Sequence, residues 1–444
     1  MLNLGVLINR ANLGDPQRNP RVLTLVNDLI QGQGRTQQGS QGSGHSLPWA
    51  HAIGSYRFFN NSEISLPSVY AIAHNALREL VPTQTRAYLA HDFSVVDYSK
   101  HAAKEDRIQV GNEFGLGYDL YSALVLDKLG RPLGPAVQEL QTTEGCWSSD
   151  SCTPLPFVDH LSQLERGIQA AEKELPEREL VHLIDREGDD IQLERFLSGQ
   201  RKYVIRAQHL VRKVLHDEKA TTIQLAVNKL ELKKGAEVKR QNEVFQAWQG
   251  EMKVIFHGPS YRGCKAGKTR KAPTAGTPIE VRVVVVELRG EKRTLQWILL
   301  TNLSDSIAEV VQAYIWRWRI ERLFFLKKVG FRLENWLQIE GERIARRLAV
   351  TTLAAMVLYQ MELGKEEPEM AATIKVVATL GGWLGRKRDV IGPLVLMRGM
   401  MLLIGMCSAV EEFGAERLQK AAELLSSQLG LGFASPRVRL NEGV

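Results

Sequence analysis

At 444 residues the chain is longer than one ordinary domain core, so roughly two to four structural units are expected. Hydrophobic content of 44% and charged content of 24% are ordinary for a globular protein and leave the fold class open. Charge says more. The net balance is +7, and between Arg201 and Thr274 there are 17 Lys and Arg against 6 Asp and Glu, an excess that suits either a polyanionic partner or solvated loops.

The opening "MLNLGVLINRANLGDP" holds too brief an apolar run for a signal peptide. Residues 12–30 read as a helix after a turn, with Pro20 marking its start. The Gly-rich stretch 31–44 reads as a flexible loop, and "IGSYRFFNNSEIS" opens a helical stretch reaching about Leu80. Three runs, "TRAYLAHD", "YDLYSALVLD" and "PAVQELQT", are joined by turn chemistry and predict an antiparallel meander. A helical pattern covers His160 to Glu174, and "LVHLID" is a buried strand ending on Asp185. This order predicts a mixed α/β core, with Asp92 and Asp185 each closing a strand, where α/β sheets commonly build their sites.

From "KYVIRAQ" to "LQWILLTN" β-branched runs predict a separate β-rich insertion, interrupted by the basic loop "YRGCKAGKTRKAPTAGTP". "GCKAGKT" is not a P-loop, having three residues between its glycines where four are required. After "TNLSDSIAEV" the chain is helical nearly to its end, with Ser306 and Glu309 at capping-box spacing and Gly330 as a stop. "VIGPLVLMRGMMLLIGMCSAV" has the length of a membrane span, but a central Arg398 costs roughly 3 kcal/mol in a bilayer, so a buried helix is expected. Cys146, Cys152, Cys264 and Cys407 lack zinc-ligand spacing and read as reduced thiols.

The segment "YIWRWRIERLFFLKK" carries one carboxylate, Glu321, among cations and aromatics. On an ideal helix Tyr314, Arg317, Glu321 and Lys328 share a face, while Trp316, Ile320 and Leu323 face a core. Glu321 is then either an ion-pair partner of Arg317 four residues earlier, or the third member of an acidic site. Asp92 and Asp185 end apolar runs, and a charge so placed needs a partner or a metal. Three carboxylates from two strands and a helix suit a two-metal phosphoryl-transfer centre.

"LIDREGDD" and "YIWRWRIERLFFLKK" together resemble the bacterial DDE cut-and-paste transposases of the insertion-sequence-four family. The family's Asp-Arg-Glu motif is matched by Asp185, Arg186 and Glu187. Its signature of Tyr, two residues, Arg, three residues, Glu, six residues and Lys is matched by Tyr314, Arg317, Glu321 and Lys328. "LGDPQRNPRV" and "GSYRFFNNSEIS" resemble the family's N-terminal DNA-binding region, and "TLGGWLGRKRDVIG" its C-terminal helical region. Phe93 and Ser94 stand where the family often has Thr, and Arg322 where an acid occurs.

The resemblance implies a ribonuclease-H-like core at 81–205 and 301–365 and a β-rich insertion at 206–300. Flanking these are an N-terminal helical DNA-binding domain at 1–80 and a C-terminal helical dimerisation domain at 366–444. It implies catalysis and metal binding by Asp92, Asp185 and Glu321, with two Mg²⁺ ions for which Mn²⁺ substitutes; Asp97 is the rival first ligand. DNA contacts are implied for Tyr314, Arg317, Lys328, Trp297, Arg206, Tyr56 and Arg57, although Trp297 also fits a buried strand residue and Arg206 a strand cap. The implied activity is DNA transposition: recognition of terminal inverted repeats, cleavage through a hairpin intermediate, and joining to target DNA by a synaptic homodimer in the bacterial cytoplasm. A nuclease of the same core, or a non-transposing DNA-binding derivative, is the alternative.

Overall fold

The computed structural model describes residues 3–32, 49–240, 243–259, 276–383 and 391–429. The Gly-rich loop lies almost wholly outside the described residues, as do most of the basic loop, Cys264 and Arg386 to Val390. Four helices come first: α1 (Leu4–Arg10), α2 (Arg18–Ile30), α3 (Trp49–Phe59) and α4 (Leu66–Leu80). Helix α2 starts two residues before Pro20, which sits in its first turn, where a missing N–H is harmless. The single stretch expected up to Leu80 is two helices. Ser65 begins the second by accepting from the Ser68 N–H, with Pro67 in its first turn.

A mixed sheet of thirteen strands follows. Its first part is β1 (Arg86–Asp97), β2 (Ile108–Gln109), β3 (Leu116–Leu126), β4 (Pro132–Thr142) and β5 (Gly145–Ser148). The meander forms as expected, with β1, β3 and β4 antiparallel in turn. Asp92 does not end β1, which runs five residues further to Asp97 on its pairing with β3 alone. Helix α5 (His160–Glu174) spans the expected residues and is capped by Asp159. It leads into β6 (Glu179–Ile184), α6 (Ile191–Ser198) and β7 (Lys202–Arg206). Strand β6 pairs parallel with β1 and with β7, placing β1 at the centre of the order β4-β3-β1-β6-β7.

The next elements are β8 (Lys213–His216), β9 (Lys219–Thr222), α7 (Ile223–Val227), β10 (Lys233–Arg240), β11 (Glu243–Phe256), β12 (Ile279–Arg289) and β13 (Thr294–Thr301). They extend the same sheet instead of standing apart, because β7 pairs with β13 through Val204↔Thr301 to Arg206↔Leu299. Strand β12 is apolar at consecutive positions, and Val283 to Val286 are all buried, as befits a strand covered on both faces.

The C-terminal third holds α8 (Ile307–Trp316), α9 (Arg319–Phe325), α10 (Gly341–Leu363), α11 (Pro368–Leu380), α12 (Pro393–Phe413) and α13 (Ala415–Leu429). The capping box at Ser306 and Glu309 is formed in full. Helix α10 is buried almost all round and packs on β4, α2 and α4, joining the N-terminal helices to the sheet. Helices α11 and α12 cross closely at Gly381 and Gly399; a Cβ on Gly399 would lie 1.7 Å from the Val377 carbonyl oxygen. Beyond that crossing α12 is not the buried helix the sequence predicts, because Leu402, Met406, Val410 and Phe413 are exposed. Among the described residues it is the one helix long and apolar enough to cross a membrane.

Lys327 lies in a π turn (Leu326–Gly330) after α9 and is fully buried. Its ammonium donates to Gln138 Oε1 at 3.0 Å and to the Thr352 and Thr351 hydroxyls at 3.2 and 3.3 Å. Gln138 also accepts from Tyr70 of α4, so one polar cluster links α4, β4, the π turn and α10. Burial pushes the Lys327 pKa down to about 7. Between that value and the ordinary lysine range the unfolded chain binds the extra proton, so this group makes the fold more stable as pH rises. Relative to wild type, Lys327→Met is therefore expected to gain on the order of 2 kcal/mol on going from pH 9 to pH 6. Urea unfolding at both pH values checks this, and a pH-independent gap contradicts it.

Candidate active site

The parallel ladder between β1 and β6 runs from Arg86↔Glu179 to Ala90↔Leu183. Two residues further along each chain stand Asp92 and Asp185. The apolar stretches before them, Ala87 to Ala90 and Val181 to Ile184, are buried in the core and bring the two aspartates side by side where the ladder stops. Asp185 caps the short turn Arg186–Gly188 by accepting from the Glu187 N–H at 2.8 Å. Asp92 accepts from the Phe93 N–H at 2.9 Å.

Arg317 lies at a break between α8 and α9, and its side chain is only 7% exposed. One nitrogen, Nη1, donates to Asp92 Oδ2 at 3.1 Å, and Nη2 donates to Glu321 Oε1 at 3.2 Å. Glu321 and Asp92 thus share one guanidinium, on which the Asp185 charge also acts. Burial raises the Asp92 pKa, Arg317 opposes that, and the neighbouring Asp185 charge raises it further. Burial also works against the Arg317 charge, but Tyr314, Asp92, Asp185 and Glu321 outweigh it and raise its pKa.

Of the residues expected on a single helical face, Tyr314, Arg317 and Glu321 keep it, since Tyr314 bonds to Arg317 and Arg317 to Glu321, whereas Lys328 leaves it. The helix breaks at Arg317 and Trp318 and widens into the π turn, which alters the angular step per residue. Tyr314 points inward, 2% exposed, and meets Trp297 of β13 edge to face at 5.4 Å. Trp297 is itself 3% exposed, the burial expected of a strand residue. Lys328 turns to the Val95 carbonyl and to Glu334 at 3.3 Å. The core side follows the expectation, with Ile320 and Leu323 buried and Trp316 packed against Tyr88.

Arg206 ends β7, half-buried, near enough for its charge to act on Tyr314. Tyr56 and Arg57 are exposed on α3, where Tyr56 lines a cleft with Phe59, Leu337, Ile339 and Arg343. Asp97, the rival to Asp92, is exposed and bonded to Ser99, whose donors hold its pKa down. Its carboxylate serves the turn after β1, whereas that of Asp92 meets Arg317.

Two residues here carry no motif. His160 heads α5, stacks on Phe93 and bonds to Asp119 and Glu187, sharing a cleft with Asp92 and Asp185. Sequence offers only a lone His after an N-cap. For Lys327 a signal existed: it falls seven residues after Ile320 and four after Leu323, on the apolar face.

Among the described residues no three His, Cys, Asp or Glu side chains form a group able to hold a metal ion; Arg317 bridges Asp92 and Glu321. The donor chemistry nevertheless fits a hard divalent cation, being all carboxylate oxygen. Asp92, whose negative form burial and Asp185 both disfavour, is a carboxylate that such an ion would stabilise. No family model matches the sequence, and no curated protein matches it.

Arg317→Met leaves the Asp92 carboxylate buried without its cation. A loss of about 3 kcal/mol is expected at pH 7, shrinking near pH 4 as Asp92, its pKa already raised, takes up a proton. Denaturant unfolding at the two pH values checks this, and an equal loss at both contradicts it.

Proposed function

We propose that this chain is a DDE-type DNA transposase with a ribonuclease-H-like core, cutting and joining the ends of a mobile element by phosphoryl transfer. The observation that carries the reading is the gathering of Asp92, Asp185 and Glu321 around Arg317 from two adjacent strands and one helix. The strand order supports it: three antiparallel strands, β4-β3-β1, continue into two strands parallel to the first, with an aspartate on β1 and another just after β6.

Asp92, Asp185 and Glu321 would hold Mg²⁺, or Mn²⁺ in its place, which when bound activates the attacking water or 3′-hydroxyl and steadies the leaving oxygen. Lys328 would offer a charge-assisted contact to a DNA phosphate, while Arg317 holds the carboxylates. Tyr314, packed edge to face on Trp297, bonds to Arg317, and Arg206 adds positive charge beside Tyr314. Tyr56 and Arg57 offer an exposed aromatic and cation for the terminal repeats. The Lys and Arg excess of residues 201–274 supplies further attraction to the backbone. Two copies would act on paired ends, and the exposed apolar stripe of α12 offers them a face to share. The setting is the bacterial cytoplasm, at the nucleoid.

The test is Mg²⁺-dependent cleavage of DNA carrying the inverted repeats that flank the coding region. Asp185→Ala is expected to lower the rate by roughly a thousandfold or more, since ligand loss removes several kcal/mol of transition-state stabilisation. Equal activity in wild type and variant overturns the proposal. Joining of a pre-cut end to target DNA separates a transposase from a nuclease of the same core.

A further inference from the structure

We infer that His160 is a positioning residue that fixes the spacing between Asp92 and Asp185. The inference rests on the reading above, in which those carboxylates share a divalent cation. Pairing between β1 and β6 ends at Ala90↔Leu183, so no ladder hydrogen bond between these strands reaches the two aspartates. The ladder sets the level of the two aspartates, and beyond its last pair His160 contacts both sides.

On the β1 side, the His160 ring lies flat on Phe93, the residue after Asp92, with centroids 4.0 Å apart and planes within 8°. On the β6 side, Nδ1 bonds to Glu187, the second residue of the turn that Asp185 caps. Glu187 is fixed relative to Asp185, because its N–H donates to the Asp185 carboxylate. The other nitrogen, Nε2, bonds to Asp119 of β3, a buried residue paired with Val95 of β1. A single planar ring therefore spans α5, β1, β3 and the turn after β6.

The charge suits the task. Both ring nitrogens meet carboxylates, and the bonds to Asp119 and then Glu187 push the His160 pKa up to about 10. A cationic imidazole facing Phe93 also gains from the ring's negative face. The acidic groups around this cation are Asp119, Glu187, Asp92 and Asp185, the last two in the same cleft. Phe93 and His160 form one stacked pair.

The experiment is Mn²⁺ titration of the full chain followed by electron paramagnetic resonance, with no DNA present and thermal unfolding recorded for every variant. His160→Ala is expected to weaken Mn²⁺ binding by roughly 10-fold to 100-fold, the range for loss of a group that orients metal ligands. His160→Arg, a planar cation able to stack and meet two carboxylates, is expected to stay within about threefold of wild type. The control is Leu164→Ala, which removes a buried side chain from the same helix and cleft wall without touching either tie, and is expected to keep wild-type affinity. Equal weakening in His160→Ala and Leu164→Ala makes His160 a mere packing residue and overturns the inference, as does unchanged affinity in His160→Ala. Phe93→Leu, which keeps both ion pairs but removes the stack, is read if His160→Ala does not fold; there, weakening of at least threefold is expected and none overturns the inference. Absence of Mn²⁺ binding in wild type defeats the metal reading of Asp92 and Asp185 itself, and the inference with it.

Discussion

A guanidinium taken out of water needs negative partners held at hydrogen-bond distance, and Arg317 finds two in Asp92 and Glu321. That requirement shapes the centre of the molecule. It brings the start of α9 against the middle of β1, and it does so at a helix break, where the chain can turn the side chain inward. Burying the cation also makes the nearby acids tolerable: Asp92 would otherwise carry its charge beside Asp185 in a place that disfavours it. Arg317, Asp92, Asp185 and Glu321 are therefore one electrostatic unit, in which the guanidinium offsets the repulsion among the acids.

Around that unit the scaffold works by two kinds of constraint. The parallel β1–β6 ladder delivers both aspartates to the same level of the sheet, and the ordinary alternation of buried side chains does the rest. The helical side is anchored by the Lys327 cluster, whose acceptors come from β4 and α10 and whose Gln138 also receives Tyr70 from α4. This buried lysine has neutral acceptors and no carboxylate among its bonds, so the ammonium is satisfied but only weakly compensated, which explains its low pKa. The π turn that carries it also redirects Lys328 toward Val95 and Glu334.

Much of the core was legible because its elements obey local rules. The meander, α5, the strand before Asp185 and the Ser306 capping box follow from alternation, periodicity and cap chemistry. What could not be read was non-local. Strand β1 continues past Asp92 because β3 lies alongside, a partner that no window of sequence contains. The β-rich region joins the main sheet through β7 and β13, about a hundred residues apart in the chain. The shared face holds for Tyr314, Arg317 and Glu321, but Lys328 leaves it in the π turn, which no ideal helix contains. Helix α12 looked like a core helix because composition records apolarity and not whether anything covers it. Of the candidate site, Asp185 is legible from its place just after a strand, Asp92 is singled out by a strand end that lies five residues further on, and His160 has no signal because its partners, Phe93, Asp119 and Glu187, are scattered through the sequence.

The central claim is that Asp92, Asp185 and Glu321 form one divalent-ion site. Iron-directed self-cleavage tests it most directly: Fe²⁺ with ascorbate and peroxide generates radicals that cut the peptide chain next to the bound ion. Cuts are expected to cluster near residues 92, 185 and 321, all three suppressed together by excess Mg²⁺. Cuts at only one of these segments, cuts elsewhere, or cuts that Mg²⁺ does not suppress would contradict it.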